Sequence, residues 1–289
     1  MLIIACSHGK HLAGQIAEKV KCAFSELSVS RFPDNEIHVR FNCDLRNKKA
    51  VLVQSFYGEI SDCIIEVILA AKTASELGAK EIILVAPYFP YLRQDKRFHR
   101  GEAVSQGIIA GLVDNFFDEV LIIDPHLHRK SSMEQIFRKK SKKITANSLM
   151  AGYIKNNIPK PIIMGPDEES YKWARSVAKD LGAQFRILRK KRYSSYHVEV
   201  KLNKHIDLSG RNVVIVDDIV STGHTILETA KIIKKMGAKN VHCICVHGIF
   251  AGDALDKLKG AGIKTVSTNT VPNDAAKIDV SGIIADGLK

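Results

Sequence analysis

The sequence lacks any long hydrophobic run. None of its apolar stretches approaches the ~20 residues that a helix needs to cross a bilayer. The apolar stretch nearest the N-terminus, Leu2–Cys6, is followed at once by His8 and Lys10, and it is too short for a signal peptide. These absences predict a soluble, cytoplasmic protein.

Metal-binding cysteine pairs are also lacking. The 289 residues include six cysteines, and no two of them form a C-x-x-C pair. They are Cys6, Cys22, Cys43, Cys63, Cys243 and Cys245. Because these residues lie in apolar or mixed segments, we expect buried, reduced thiols rather than a zinc site.

Acidic residues are scarce relative to basic ones. Asp and Glu number 31 against 43 Lys and Arg, which gives a formal net charge of +12. Much of the excess is local, in the stretch 129–143 and in the run Arg189–Arg192. Aromatic residues are not interleaved with these charges in the way that stacks nucleic-acid bases. Small phosphorylated ligands explain such basic loops as well as nucleic acid does, and a nucleic-acid role would rest on net charge alone.

What the sequence does contain is an alternation of short β-branched runs with helical periodicity. The predicted strands are Leu2–Ala5, Val51–Gln54, Ile82–Ala86, Val120–Ile123, Pro161–Met164, Gln184–Leu188, Asn212–Val216 and Asn240–Val246. Helices are predicted between them, among others over Glu168–Leu181 and Gly223–Met236. Such alternation is typical of an α/β fold, a mostly parallel sheet with helices on both faces.

The second half of the chain repeats the plan of the first. Gly78-Ala79-Lys80 ends one helix before a strand, and Gly237-Ala238-Lys239 does the same about half a chain later. The glycine in each copy suits the left-handed residue that terminates a helix. We therefore predict two similar tandem domains, residues 1–146 and 147–289.

The segment 213–225 carries the clearest chemical signal. An apolar strand ends in Asp217 and Asp218, and a small, glycine-containing turn then opens a helix. Backbone N–H groups at a helix start, together with nearby hydroxyls, suit a phosphate, and the two carboxylates can accept hydrogen bonds from vicinal sugar hydroxyls. The hydroxyls are those of Ser221, Thr222 and Thr225. The segment thus predicts a ribose-phosphate site at the carboxyl end of a sheet.

This segment resembles the binding motif of type I phosphoribosyltransferases and phosphoribosyl pyrophosphate synthases. The resemblance implies two tandem domains of the type I phosphoribosyltransferase kind. It also implies that ribose 5-phosphate binds Asp217, Asp218, Ser221, Thr222, Gly223, His224 and Thr225.

Three further segments are similar to those of ribose-phosphate pyrophosphokinases. They are Arg31–Glu36, with an aromatic ring and two carboxylates, Tyr91–Phe98, with paired arginines, and Asp124–His126, at a strand end. From the residues alone, Arg93 could meet phosphate oxygens, while Gln94 and Asp95 could read a base edge or orient an arginine. The resemblance implies an ATP site made of Phe32, Asp34, Glu36, Arg93, Gln94 and Asp95, often shared between subunits, and it places His126 at the metal and phosphates.

The same family carries a Lys-x-Arg pair on a loop, which Lys190 and Arg192 match, so the resemblance implies that these two are catalytic. Lys191 could share the role. Asp167 matches an aspartate that, with His126, is placed near Mg²⁺. The family has glycines after this aspartate, whereas this chain has Glu168–Ser170, and it has Asn35 where glycine is common. Asparagine tolerates positive φ, so we expect the turn at Asn35 to be kept.

The sequence thus predicts a ribose-phosphate pyrophosphokinase. It would transfer the β,γ-pyrophosphoryl group of Mg–ATP to the 1-hydroxyl of ribose 5-phosphate. The resemblance also implies a homodimer or higher homo-oligomer, with the ATP site near a subunit interface and no membrane partner. Two alternatives stay open: a phosphoribosyltransferase that uses a nucleobase, and a non-catalytic regulatory paralogue.

Overall fold

The computed structural model describes residues 1–127, 129–130, 132–192, 198–202 and 207–289, and within these it describes side chains outside 189–192 and 198–202. The chain divides into two compact units. Unit 1 consists of Met1–Thr145 and Val280–Lys289, and unit 2 consists of Ala146–Asp279.

Unit 1 contains a seven-stranded sheet. Its elements are β1 (Leu2–Ala5), α1 (Lys10–Val20), β2 (Ala23–Arg31), β3 (Ile37–Phe41), β4 (Lys49–Val53), α2 (Ile60–Glu76), β5 (Glu81–Ala86), α3 (Ser105–Asp114), β6 (Glu119–Ile123) and β7 (Lys140–Ile144), with a short 3₁₀ helix at Met133–Gln135. The strand order is β3-β2-β1-β4-β5-β6-β7. All neighbours are parallel except the antiparallel hairpin β2–β3.

Unit 2 repeats this sheet. Its elements are α4 (Asn147–Asn157), β8 (Pro161–Gly165), α5 (Tyr171–Leu181), β9 (Gln184–Arg192), β10 (Val198–Leu202), β11 (Asn212–Val220), α6 (His224–Lys235), β12 (Asn240–Gly248), α7 (Ala254–Gly260), β13 (Ile263–Thr268) and β14 (Ala276–Ile278); α8 (Ser281–Leu288) follows. The strand order, β10-β9-β8-β11-β12-β13-β14, matches that of unit 1, again with one antiparallel pair at an edge. The predicted fold class, two mostly parallel sheets flanked by helices, is confirmed.

The central strands form because their residues are apolar on both faces. Every residue of β1 and β6 is buried, as are four of the five residues in β4 and β8. Continuous apolar runs of this kind are expected where helices cover both sides of a sheet. The β2–β3 hairpin is different, because most of its residues are exposed or half-buried, and it was not among the predicted strands.

At the C-terminus, the two units differ from the predicted domains. Residues 280–289 fall in unit 1, although 147–289 was predicted as one domain. The Ser281 hydroxyl donates to Gln15 Oε1 of α1 (3.2 Å), and Lys142 Nζ of β7 donates to the Gly287 carbonyl (2.8 Å). A Cβ at Gly287 would lie 2.4 Å from Ile144 Cδ1, so the lack of a side chain there lets α8 approach β7 closely.

The cysteines are free, but they are not uniformly buried. Cys6, Cys63, Cys243 and Cys245 are buried, whereas Cys22 and Cys43 are half-buried. Among the described helices, none combines the length and apolar character that a membrane span requires.

Candidate functional site

Two neighbouring parallel strands of unit 2, β8 and β11, bring three aspartates to the carboxyl end of the sheet. Asp167 follows β8, and Asp217 and Asp218 lie near the end of β11. The strand was predicted to end at Val216, but the ladder with β12 continues to Val220. The two carboxylates are therefore held by strand geometry rather than by a loop.

The carboxylates of β11 are ordered by backbone hydrogen bonds. The Asp218 N–H donates to Asp217 Oδ1 (3.0 Å), and Asp218 Oδ1 accepts from the Ile219 N–H (2.8 Å). Burial raises the pKa of Asp217 well above its usual range, and the charges of Asp218 and Asp167 raise it further. Crowded carboxylates of this kind favour a ligand that donates hydrogen bonds or carries positive charge.

The glycine-containing turn after β11 opens a helix, as the sequence predicted. Gly223 has φ of +71° and is the N-cap of α6, which begins at His224. Positive φ favours glycine, since a side chain is strained there. The first turn of α6 contains no acidic residue, so its N-terminal N–H groups and positive helix dipole are not opposed by a local carboxylate. Ser221 and Thr225 are half-buried and Thr222 is exposed, which leaves their hydroxyls accessible to a ligand.

The loop after β8 is closed on itself around Ser170. The Ser170 N–H donates to Asp167 Oδ1 (3.0 Å), and the Ser170 hydroxyl donates to the Asp167 carbonyl (2.8 Å). A Cβ at Gly165 would lie 2.6 Å from Ser170 Oγ, so this glycine admits the serine. Ser170 is thus buried as a structural tie, while Glu168 and Glu169 are exposed.

The predicted metal ligands fall in separate units. His126 is half-buried after β6 in unit 1, and Asp167 is half-buried in unit 2. No set of three or more His, Cys, Asp or Glu in the described part of the chain is arranged to hold a metal ion. Mg²⁺ often binds through one or two carboxylates and is otherwise coordinated by water and substrate phosphates. The hard oxygen donors at Asp167 fit such an ion.

In unit 1, the predicted ATP-binding aromatic lies at the tip of the β2–β3 hairpin. Phe32, Asp34 and Glu36 are all exposed. The Phe32 N–H donates to the Glu36 carbonyl (2.9 Å), and Asn35 has φ of +75°, as expected for asparagine in place of glycine. The hairpin tip therefore exposes an aromatic ring and two carboxylates.

The second predicted ATP segment is held by a buried carboxylate. Arg129 Nη1 lies 2.5 Å from Asp95 Oδ1, and the Asp95 side chain is 5% exposed. Gln94 Oε1 accepts from the Ser105 hydroxyl (3.2 Å), while the Arg93 side chain is exposed. Of the two roles left open for Asp95, the structure supports orientation of an arginine. Arg129 was not predicted as a site residue; it lies in the basic stretch 129–143, whose charge excess was the signal that pointed to it.

The predicted catalytic pair lies at the end of β9. The backbone of Lys190 and Arg192 is strand, paired with β10, but their side chains are outside the described residues, as are residues 193–197.

Comparisons with known proteins match both halves of the chain. A family model described as the N-terminal domain of ribose phosphate pyrophosphokinase matches residues 1–116, and one described as a phosphoribosyl transferase domain matches residues 132–281. The chain is 33% identical to a ribose-phosphate pyrophosphokinase of Pyrococcus furiosus over 97% of both chains. It is 32% identical to one of Methanothermobacter thermautotrophicus over 100% of both.

The fold agrees as well. A crystal structure of phosphoribosylpyrophosphate synthetase from Mycobacterium smegmatis superposes with a TM-score of 0.87 at 23% identity, covering 99% of this chain and 97% of that one. Because the Pyrococcus and Methanothermobacter relatives are more than 30% identical over nearly the whole chain and the family models match both halves, the chain belongs to the ribose-phosphate pyrophosphokinase family.

Proposed function

We propose that this chain transfers the β,γ-pyrophosphoryl group of Mg–ATP to ribose 5-phosphate, with the sugar phosphate bound in unit 2 and the nucleotide recognised by unit 1. The observation that carries the proposal is the end of β11, where ordered carboxylates precede a positive-φ glycine and an acid-free helix start. Family membership supports the same reaction.

The two ends of ribose 5-phosphate have complementary partners in this segment. Asp217 and Asp218 would accept hydrogen bonds from the vicinal ring hydroxyls, which relieves the mutual repulsion of the carboxylates. The turn Ser221–Thr225 would hold the 5-phosphate with backbone N–H groups and hydroxyls. This orientation leaves the 1-hydroxyl free to react.

ATP recognition is assigned to unit 1. Phe32 offers its exposed ring to adenine, with Asp34 and Glu36 beside it as hydrogen-bond acceptors. Arg93 would contact the phosphates, while Gln94 and Asp95 hold the loop through Ser105 and Arg129. The exposure of the whole hairpin tip suits completion of the ATP site by another subunit, so we propose a homodimer or larger homo-oligomer.

In the reaction the 1-hydroxyl oxygen of ribose 5-phosphate attacks the β-phosphorus of ATP. The bond from that phosphorus to the α,β-bridging oxygen breaks, AMP leaves, and the hydroxyl proton passes to solvent. Lys190 and Arg192 would offset negative charge on the transferring group. His126 and Asp167 are the proposed ligands of Mg²⁺, which when bound neutralises phosphate charge. Alignment of the substrates supplies much of the remaining rate.

The test is an assay with ATP, ribose 5-phosphate and magnesium, in which nucleotides and sugar phosphates are separated by chromatography. We expect AMP and phosphoribosyl pyrophosphate in equal amounts. Lys190→Ala should lower kcat by about 10³-fold, the scale of losing one transition-state charge partner. Lys179→Ala, which removes a lysine from the last turn of α5, is the matched control and should leave kcat unchanged.

Two results would overturn the proposal. If ATP stays intact while both substrates bind, the chain is a regulatory paralogue. If a nucleobase consumes phosphoribosyl pyrophosphate without ATP, the chain is a phosphoribosyltransferase.

A further inference from the structure

A short segment beside the ribose-phosphate turn holds its backbone. Three successive N–H groups just after β12 donate to the end of β11: those of Ile249 and Phe250 to the Val220 carbonyl (3.0 and 3.1 Å), and that of Ala251 to the Ser221 carbonyl (3.1 Å). We call residues 249–251 the clamp segment.

These bonds orient the phosphate-binding N–H groups. In a trans peptide the carbonyl of one residue and the N–H of the next lie in one plane and point in opposite directions. Because the clamp segment engages the Val220 and Ser221 carbonyls, the N–H groups of Ser221 and Thr222 point away from it. A shift of the clamp segment would therefore rotate these two N–H groups, which are among the donors that the turn offers to a phosphate.

The clamp segment is itself held in an uncommon conformation. Phe250 has φ of +44°, and its ring is buried in the core of unit 2. A Cβ at Gly248 would lie 2.4 Å from Phe250 Cε2 and 2.8 Å from Ser267 Oγ. Gly248 therefore allows the ring to fold back over the end of β12.

The position of Gly248 depends in turn on Asn273, in the loop between β13 and β14. Asn273 Nδ2 donates to the Gly248 carbonyl (3.0 Å) and to the Val271 carbonyl (2.9 Å). Its Oδ1 accepts from the Ala275 N–H (2.8 Å). One side chain thus ties the last residue of β12 to the 271–275 loop.

Buried hydroxyls brace the same strand end. The Thr268 and Thr270 hydroxyls donate to the Val246 carbonyl (2.7 and 3.1 Å), and His247 Nδ1 lies 3.0 Å from Thr270 Oγ1. Both threonines and His247 are at most 1% exposed. A buried polar network of this kind is rigid when its groups are satisfied.

We propose that Asn273 is a positioning residue for ribose 5-phosphate, acting through Gly248 and the clamp segment on the N–H groups of Ser221 and Thr222. Asn273 itself lies outside the turn at residues 221–225. The inference rests on the proposed function, because it concerns how that turn is held.

The test compares Asn273→Ala with Asn269→Ala, which removes an asparagine from the same loop that bonds instead to Asp279 (2.9 Å). Asn273→Ala should raise the KM for ribose 5-phosphate about tenfold, as expected for one hydrogen bond that orders a binding turn. The KM of Asn273→Ala for ATP should change less than about twofold. Both KM values of the control Asn269→Ala should also change less than about twofold. Asn273→Asp, which keeps the acceptor for the Ala275 N–H but not the donor to Gly248, should act like Asn273→Ala and guards against a folding defect.

Hydrogen–deuterium exchange gives a direct readout. In both Asn273 variants, the amides of Ile249–Ala251 should exchange faster than in the unchanged protein, while those of the β12 interior should not. An unchanged KM for ribose 5-phosphate, with or without faster exchange, would overturn the positioning role. Absence of any reaction in the unchanged protein would instead contradict the proposed function.

Discussion

The two units have the same strand order, yet the residues at the carboxyl ends of their central strands, β4 and β11, differ in chemistry. Val53 and Val216 hold equivalent places in the two ladders, opposite β5 and β12. The next two residues are Gln54-Ser55 in unit 1 and Asp217-Asp218 in unit 2. Unit 1 therefore keeps the architecture of the ribose-phosphate site without its paired carboxylates.

The helices that follow these strands, α2 and α6, differ in the opposite direction, because here the acidic residues near the helix start are in unit 1. In unit 1 the turn and α2 line a cavity of about 370 Å³ whose walls carry Glu59, Asp62 and Glu66. The first turn of α6 in unit 2 has no acid. Carboxylates at a helix start stabilise the helix through its dipole, but they also repel phosphate. The same sheet topology thus carries the proposed phosphate-binding turn in unit 2 and an acidic cavity in unit 1.

The largest effect is expected on the binding of ribose 5-phosphate by unit 2. Asp218→Asn keeps an acceptor for the Ile219 N–H but removes the charge that would bind ribose hydroxyls. We expect ribose 5-phosphate affinity, measured by calorimetry, to fall about 100-fold. Ser55→Ala, at the equivalent place in unit 1, should leave it unchanged. Equal losses in both variants would mean that the units do not divide the substrates as proposed.

The next effect concerns stability in unit 1. Glu66 is 3% exposed and accepts from the Ser7 N–H (2.8 Å) and hydroxyl (2.5 Å). Glu66→Ala leaves these donors without an acceptor and should cost about 2 kcal/mol in urea unfolding. The KM for ribose 5-phosphate should not change. Glu76→Ala, at an exposed position of the same helix, is the control. A large change in that KM would show that the acidic edge takes part in sugar binding.

Alanine substitutions at two glycines with similar φ distinguish backbone strain from loss of ligand binding. Gly58 and Gly223 have φ of +65° and +71°, so alanine should cost each unit about 1 kcal/mol. Only Gly223→Ala should also weaken ribose 5-phosphate binding, since only that turn offers N–H groups to the phosphate. Thermal unfolding and calorimetry on both variants measure the two quantities. Similar binding losses would contradict the assignment of the turn.

The smallest expected effect is an increase in thermal stability. Because the pKa of Asp217 is raised in the folded protein, its charged form opposes folding above the unfolded pKa of about 4. Asp217→Asn should raise the Tm of the ligand-free protein by about 3 °C at pH 7.5. The gain should shrink as the pH falls and vanish below about 4, where the carboxyl is protonated in both states. A constant gain across this range would assign it to packing rather than charge.

Residue patterns predicted much of this molecule because the signals were local. The apolar runs of β1, β4 and β11 are long enough to specify buried parallel strands, and the segment 213–225 contains its whole binding turn within thirteen consecutive residues. The β2–β3 hairpin was missed. In β3 the half-buried Ile37, Val39 and Phe41 do alternate with exposed polar residues, but this pattern covers only five residues, and eight of the nine residues of β2 are exposed or half-buried.

The sequence by itself determined the fold class and the duplication, and it predicted a ribose-phosphate turn at residues 221–225. The apolar runs, the repeated Gly-Ala-Lys stretch and the segment 213–225 are all visible in the linear sequence. Only the tertiary structure decided which distant groups meet. It paired Asp95 with Arg129, and it assigned α8 to unit 1 through contacts with α1 and β7. It also connected Asn273 to the clamp segment through Gly248. Hydrogen bonds between residues far apart in sequence have no periodic signature, because their partners are chosen by how the packed elements align.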